Sequence, residues 1–327
     1  MSKLGVVLPF SAFPGRDVVT LAQEAETRGY DMAWAAEASG ADALVTLGVI
    51  ASHTTRLHVA TGIVPIQTRT PIVLTMAATT LGHVAPGRMA LGIGVSSPII
   101  VGQWHGLPFR KPLQHMRETV QILRLALSGE RVNFEGEFHR IKNFRLSLPP
   151  TPVRIFLGAL GPKMLELAGE VADGVLLNWL APETVGASIR HLEAGARRAG
   201  RSLADFEIAA FVRTCVTDVP ARAREWLARD ITGYAIVDSY GEFFRTSGYA
   251  AEVDAVNAAW KAGDRAGAVT KISPRVVDGL GVIGPAAFCR ERVAEFAKAG
   301  LTMPVIMPFS PDADPRPSLP GTIRSFP

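Results

Sequence analysis

The chain has 327 residues, 48% of them apolar and 20% charged, with 34 Lys and Arg against 30 Asp and Glu and a formal net charge of +4. That length suits one (β/α)8 barrel with insertions or two ordinary domains, and so small a positive balance, without a Lys/Arg block, gives no nucleic-acid signal. Two distant cysteines, Cys215 and Cys289, cannot build a disulfide framework or zinc knuckle, and no uninterrupted apolar run reaches the ~18 residues of a membrane span, so a reducing cytoplasm is the expected location.

From the N-terminus, short β-branched runs alternate with longer segments of helical periodicity, the pattern of βα units around a parallel sheet. Leu4–Pro9 is too short and apolar for a helix, and Pro9, Pro14 and Gly15 interrupt any signal-like stretch. A helix then starts at Asp17 and stops at Gly29. Tyr30–Glu37 reads as the second strand, followed by a helix capped by Asp42; Arg56–Ile63 is the third, before a helix opening on Pro71. Gly87–Gly94 is the fourth strand. About 20 residues then precede the helix Pro112–Ser128, whose stripe is Met116, Val120, Leu123 and Leu127. The polar stretch NFEGEFHRIKNFRLSLPPTP reads as a surface hairpin. Val153–Gly158 and Gly174–Asn178 are the fifth and sixth strands, separated by the helix PKMLELAGEVAD and followed by a helix from Pro182 to Gly200. Phe206–Val212 is the seventh strand, Pro220–Ala228 its helix, Pro285–Ala299 the last helix and Met303–Met307 the eighth strand.

Eight strands with interleaved helices predict an α/β TIM barrel, one domain over 1–327. Residues 229–281 break the rhythm and are expected to be an insertion, and the Pro-rich 310–327 an extended tail. A doubly wound sheet would need a phosphate fingerprint after the first strand, where Pro9–Gly15 holds one glycine.

In a barrel the reactive groups lie at the C-terminal ends of the strands. Here these ends hold Pro9, Phe10, Trp34, Glu37, Thr61, Gly62, Ile63, Gly92, Gly94, Ser96, Ser97, the segment Gly158–Met164 and Asn178. The set is glycine-rich, apolar and nearly free of titratable groups, which suits a flat ring cofactor with a phosphate better than side-chain acid–base hydrolysis. The seven histidines show no HxH or HExxH spacing, there is no GxSxG, and no metal site is expected. The GxG of LGIGVSS leaves two readings open, small residues beside a bound ring or beside neighbouring backbone. The segment Gly158, Ala159, Gly161, Pro162, Lys163, Met164 runs into a helix, so free N–H groups, the positive dipole end and an ammonium converge where a phosphate can bind; the alternative is an ordinary βα turn.

These stretches together resemble the luciferase-like monooxygenase superfamily, and within it the deazaflavin-dependent oxidoreductases that use coenzyme F420. The matching segments are LGVVLP, TGIVPIQTRTPIVLTMAATTLGHVAPGRMALGIGVSS, QWHGLPFRKPLQHMRETVQILR, EGEFHR, IFLGALGPKMLELAGEVADGVLLN and GVIGPAAFCRERVAEFAKAGL, which span nearly the whole chain. The resemblance implies a homodimeric barrel with the ring at its mouth and a non-proline cis peptide in a bulge of the third strand, falling at Gly62–Ile63. It also implies a coenzyme tail against Gly161–Met164, with Lys163 the nearest cation, and hydride transfer to or from a small carbonyl, alcohol or activated double bond. The sequence departs from the sugar-phosphate dehydrogenases of this branch, reading Glu37-Ala38-Ser39 and Val95-Ser96-Ser97 where those carry a His and a Glu.

Glu37 and His105 are the candidate proton donors; a Glu at a strand end can instead be a structural acceptor, and the WHG around His105 a lid element. The cofactor-binding set is Thr61, Gly62, Ile63, Gly94, Ser96, Gly158, Ala159, Gly161, Pro162, Lys163, Met164 and Asn178. Trp34 and Trp104 are expected near the ring or lid. Tyr234, Tyr240, Phe243, Phe244 and Tyr249 suit either a substrate chamber or a small core for the insertion. Alternatives on the same barrel are a flavin mononucleotide (FMN)-dependent monooxygenase fed by a separate flavin or F420 reductase, and a non-catalytic flavin or deazaflavin carrier. Neither nucleic acid nor membrane is an expected partner.

Overall fold

The computed structural model describes residues 3–327, so the first two residues of the expected domain lie outside it. Its strands, in chain order, are β1 (Gly5–Val7), β2 (Met32–Ala35), β3 (His58–Thr61), β4 (Val64–Pro65), β5 (Met89–Gly94) and β6 (Val132–Glu135). They continue as β7 (Arg140–Phe144), β8 (Arg154–Gly158), β9 (Gly174–Asn178), β10 (Glu207–Val216), β11 (Gly281–Gly284) and β12 (Met303–Pro308). Parallel pairing in the order β1-β2-β3-β5-β8-β9-β10-β12 returns to β1 and closes the barrel. β6 and β7 form the separate antiparallel hairpin expected from its polar sequence.

Burial on both faces explains why the barrel strands read as short apolar runs. The helix-facing side chains join the main core, while Met32, Trp34, Phe156, Leu176, Phe211 and Val305 fill the barrel interior. Trp34 is fully buried there, edge-on to Phe156 and Phe211 at 5.4 and 6.2 Å between ring centroids. Alanines 60, 90 and 209 make room for this bulk from β3, β5 and β10. Trp34 is thus a filler of the barrel interior, not of a lid, because the pleat turns it inward. Trp104 is 55% exposed on a short π-helical segment, Ile99–Trp104, within the long loop after β5.

The structure differs from expectation around the insertion and the tail. The helix after β10 runs from Pro220 to Ala235, beyond the expected Ala228, since Ile231, Thr232 and Ala235 continue its buried stripe. The added elements therefore begin later than residue 229: short helices and turns follow, ending with the helix Pro274–Leu280. β11 then pairs with Arg213–Val216 of β10. The tail is not extended throughout: Leu319–Arg324 is helical, with Ile323 buried and its carbonyl accepting a hydrogen bond from the Tyr30 hydroxyl at 2.9 Å. Among the described residues no helix is long and apolar enough to cross a membrane, and no cluster of His, Cys, Asp or Glu is arranged to hold a metal.

Candidate active site at the barrel mouth

The third strand breaks where the site begins. Pairing of β3 with β5 stops after Ala60 opposite Ala90. From there the Thr61 hydroxyl replaces the ladder, donating to the Gly92 carbonyl at 2.7 Å and accepting from the Gly92 N–H at 2.8 Å. A Cβ on Gly92 would lie 1.9 Å from the Thr61 carbonyl oxygen, so only glycine allows this approach. The Gly62–Ile63 peptide is cis, and β4 resumes pairing against Ile93–Gly94.

The bulge turns the Ile63 side chain over two glycines. A Cβ on Gly94 would meet Ile63 at 2.6 Å, and one on Gly158 at 3.1 Å. Gly62 is packed from below by Phe211, Trp34 and Leu176, at 2.7 to 3.1 Å from an added Cβ. Within the GxG, Gly92 answers to neighbouring backbone, while Gly94, together with Gly158 of β8, seats the Ile63 side chain. Ile63 remains half-buried, an apolar platform facing the mouth.

Next to this platform β8 ends at Gly158, and the helix Pro162–Val171 begins after Gly161, which has no side chain to cap it. Gly161 accepts backbone bonds from Met164 and Leu165, whereas Pro162 has no N–H and the N–H groups of Gly161 and Lys163 have no backbone partner among the described residues. Gly161, Pro162 and Lys163 are exposed and Met164 half-buried; Ala159 is buried and donates to the Leu176 carbonyl at 3.3 Å. Ser96 sits in the left-handed region at φ 57, and Ser97 accepts from the Ile100 N–H at 3.3 Å.

The two candidate proton donors have different surroundings. Both carboxylate oxygens of Glu37 are engaged: Oε1 by Arg69 Nε at 3.3 Å, Oε2 by Arg69 Nη2 at 2.9 Å and the Ala43 N–H at 3.0 Å. Arg69 also pairs with Asp42, the N-cap of the following helix. Glu37 therefore acts as an acceptor that ties the second and third βα loops together, and these contacts keep Arg69 more firmly protonated than usual. His105 is exposed in the loop after β5.

Asn178, at the end of β9, is committed on both sides. Its Oδ1 accepts from Arg213 Nη1 at 2.8 Å and its Nδ2 donates to the Tyr240 hydroxyl at 3.2 Å. Burial pushes that hydroxyl up to about 12. Tyr234, Phe244 and Tyr249 pack with Trp179, Leu227 and Ile231 in a second hydrophobic core. The aromatic set thus holds the insertion onto the barrel.

A cavity of about 840 Å³ opens on the other half of the mouth, at the ends of β1, β2, β10 and β12, walled on one side by residues 308–316. Arg213 lines it with a side chain only 3% exposed, and its Nε donates to Asp230 at 3.2 Å. The guanidinium lies over Trp179, 3.2 Å from the ring centroid. Sequence reasoning missed Arg213 and Asp230. A signal was present, a single charged residue within the otherwise apolar core of the strand, IAAFVRTCV, but the predicted strand ended one residue short of it.

A family model described as luciferase-like monooxygenase matches residues 2–303. A Mycobacterium tuberculosis protein provisionally named a coenzyme F420-dependent oxidoreductase is 34% identical, over 93% of this chain and 94% of that protein. A 5,10-methylenetetrahydromethanopterin reductase of Archaeoglobus fulgidus is 28% identical over 88% of each chain. The solved structure of the coenzyme F420-dependent tetrahydromethanopterin reductase from Methanopyrus kandleri superposes with a TM-score of 0.82 at 22% identity, covering 99% of this chain and 98% of that one, a likeness of fold.

Proposed function

The chain belongs to the luciferase-like monooxygenase family, and from that premise we propose that it is a coenzyme F420-dependent oxidoreductase acting on a small carbonyl, alcohol or activated double bond. The observation that carries this is the 34% identity, over nearly the full length of both chains, to a protein provisionally named for that coenzyme. When bound, coenzyme F420 supplies or accepts a hydride.

The residues at the mouth fit such a group. Ile63, held up by Gly94 and Gly158, offers an apolar surface for the ring, and the bulge at Thr61–Gly62 fixes its height. The N–H groups of Gly161 and Lys163, the helix start and the Lys163 ammonium would hold the coenzyme's phosphate, with Ala159, Pro162 and Met164 in the same turn and Ser96 at the end of β5 completing the binding set. Asn178 contributes by holding Arg213 and Tyr240 in place. With Glu37 occupied as a brace, His105 takes the role of proton donor.

The chain works as a pair of copies in the cytoplasm. Val45, Val73, Met76 and Val84, exposed on the helices Ala43–His53 and Pro71–Val84, supply an apolar face for the second copy. Titration with oxidised F420 and with FMN, followed by fluorescence and dialysis, tests the cofactor. Saturable F420 binding with little FMN binding is expected; tight FMN binding with oxygen-dependent turnover and no F420 binding would refute it.

A further inference from the structure

The cavity on the other half of the mouth contains a buried charge, Arg213, with an unspent edge. Arg213 spends its Nε on Asp230 and one Nη1 hydrogen on Asn178, and Trp179 covers one face of its guanidinium. Its Nη2 donates to no partner among the described residues, while Arg213 lines the cavity. A guanidinium presents five donors in a fixed fork, so an unspent edge beside open volume is a site for an acceptor oxygen. The surrounding wall is apolar, including Val7, Leu8, Phe10, Trp226, Met307 and Phe309.

The charge balance of the cavity selects the kind of acceptor. Three carboxylates, Asp230, Asp312 and Asp314, line it with two guanidinium groups, those of Arg213 and Arg316, and Asp312 is paired from outside the wall by Arg222 at 3.3 Å. Arg213 is already neutralised by Asp230, and Arg316 by Asp314. An incoming anion would meet no uncompensated positive charge and would lose its hydration, whereas a neutral oxygen gains the free donors at little desolvation cost.

We propose that this cavity is the substrate chamber and that Arg213 Nη2 binds the carbonyl or hydroxyl oxygen of an uncharged, largely apolar substrate, with Asp230 holding the guanidinium in place. The chamber therefore discriminates against carboxylate and phosphate substrates. The proposal rests on the oxidoreductase reading for its reaction, but binding can be measured without it.

The test is saturation-transfer NMR on the full-length chain, with and without added F420, using cyclohexanone, benzaldehyde and their alcohols against benzoate and cyclohexanecarboxylate. The neutral probes should bind and the carboxylates should not. Arg213→Lys keeps the charge beside Asp230 but removes the fork, and should weaken neutral-probe binding to the F420-free chain about 10- to 100-fold. Met307→Trp adds bulk to the chamber wall at the register partner of Arg213 while keeping Arg213 itself, and should weaken probe binding by a similar factor; it decides the matter alone if the Arg213 variant does not fold. Preferential binding of the carboxylates, no neutral-probe binding to the wild type, or unchanged binding in either folded variant overturns the proposal. Loss of F420 binding in the wild type would instead strike at the cofactor assignment, and leaves the probe result standing.

Discussion

Replacing Thr61 by Val keeps the shape of the side chain and removes one oxygen. That oxygen serves both the N–H and the carbonyl of Gly92, at 2.8 and 2.7 Å, in a fully buried position. Each Gly92 group left without a partner costs about 1–3 kcal/mol, so Thr61→Val should lose about 2–6 kcal/mol. Against a stability of about 5–15 kcal/mol for typical folded domains, that is a large share. Equilibrium unfolding in urea, followed by tryptophan fluorescence, measures it as a lower midpoint at similar slope. Thr61→Ser, which keeps the oxygen and loses a methyl group, should cost only about 1 kcal/mol. Because the same hydroxyl sets the bulge that presents Ile63, Thr61→Val should also weaken F420 binding more than Thr61→Ser. A Thr61→Val midpoint equal to wild type would refute the assignment of the hydroxyl as the substitute for the β3–β5 ladder.

Other substitutions probe neighbouring parts. Gly94→Ala places a methyl group 2.6 Å from Ile63 and should impair F420 binding; Ile63→Ala in the same chain should recover part of that loss, and strictly additive effects in binding assays would count against the contact. Lys163→Ala should raise the F420 dissociation constant about fivefold at low salt and less at high salt, as for one exposed charge, and a loss independent of salt would exclude a direct ionic contact. His115 stacks on Phe138 at 4.4 Å, and burial, with His139 nearby, pushes its imidazole down to about 4. Its folded value lies below the unfolded ~6.5, so the stability that the neutral ring contributes is fully present above that pH. It is lost as pH falls towards 4, with about 3 kcal/mol at stake. His115→Phe should remove this slope from urea midpoints measured between pH 6.5 and 4; identical profiles for the two proteins would contradict it.

The order of elements was legible in the sequence because it depends on local periodicity. Asp42 does cap its helix, accepting from Val45 at 2.9 Å, and the eight barrel strands are those marked by short apolar runs. Errors fell where local pattern and tertiary packing disagree. The helix after β10 passed its predicted end because Ile231 and Ala235 find a core supplied by the insertion, and the Pro-rich tail gained a helix by burying Ile323. Among the candidate site residues, the Gly161–Lys163 turn was visible as glycine and proline before a helix, a local signal.

By itself, then, the sequence determined the alternation of strands and helices, the glycine-rich character of the mouth and the helix start at Gly161, all properties of near neighbours along the chain. Tertiary structure alone decided what those residues touch. Thr61 meets Gly92, Ile63 rests over Gly94 and Gly158, and Glu37 is taken up by Arg69. Arg213 emerges as the charged wall of a cavity only when Asn178 and Trp179 from the end of the neighbouring strand and Asp230 from a helix gather around it. Close approach and the compensation of a buried charge depend on distances between segments far apart in the chain, and no local pattern encodes those distances.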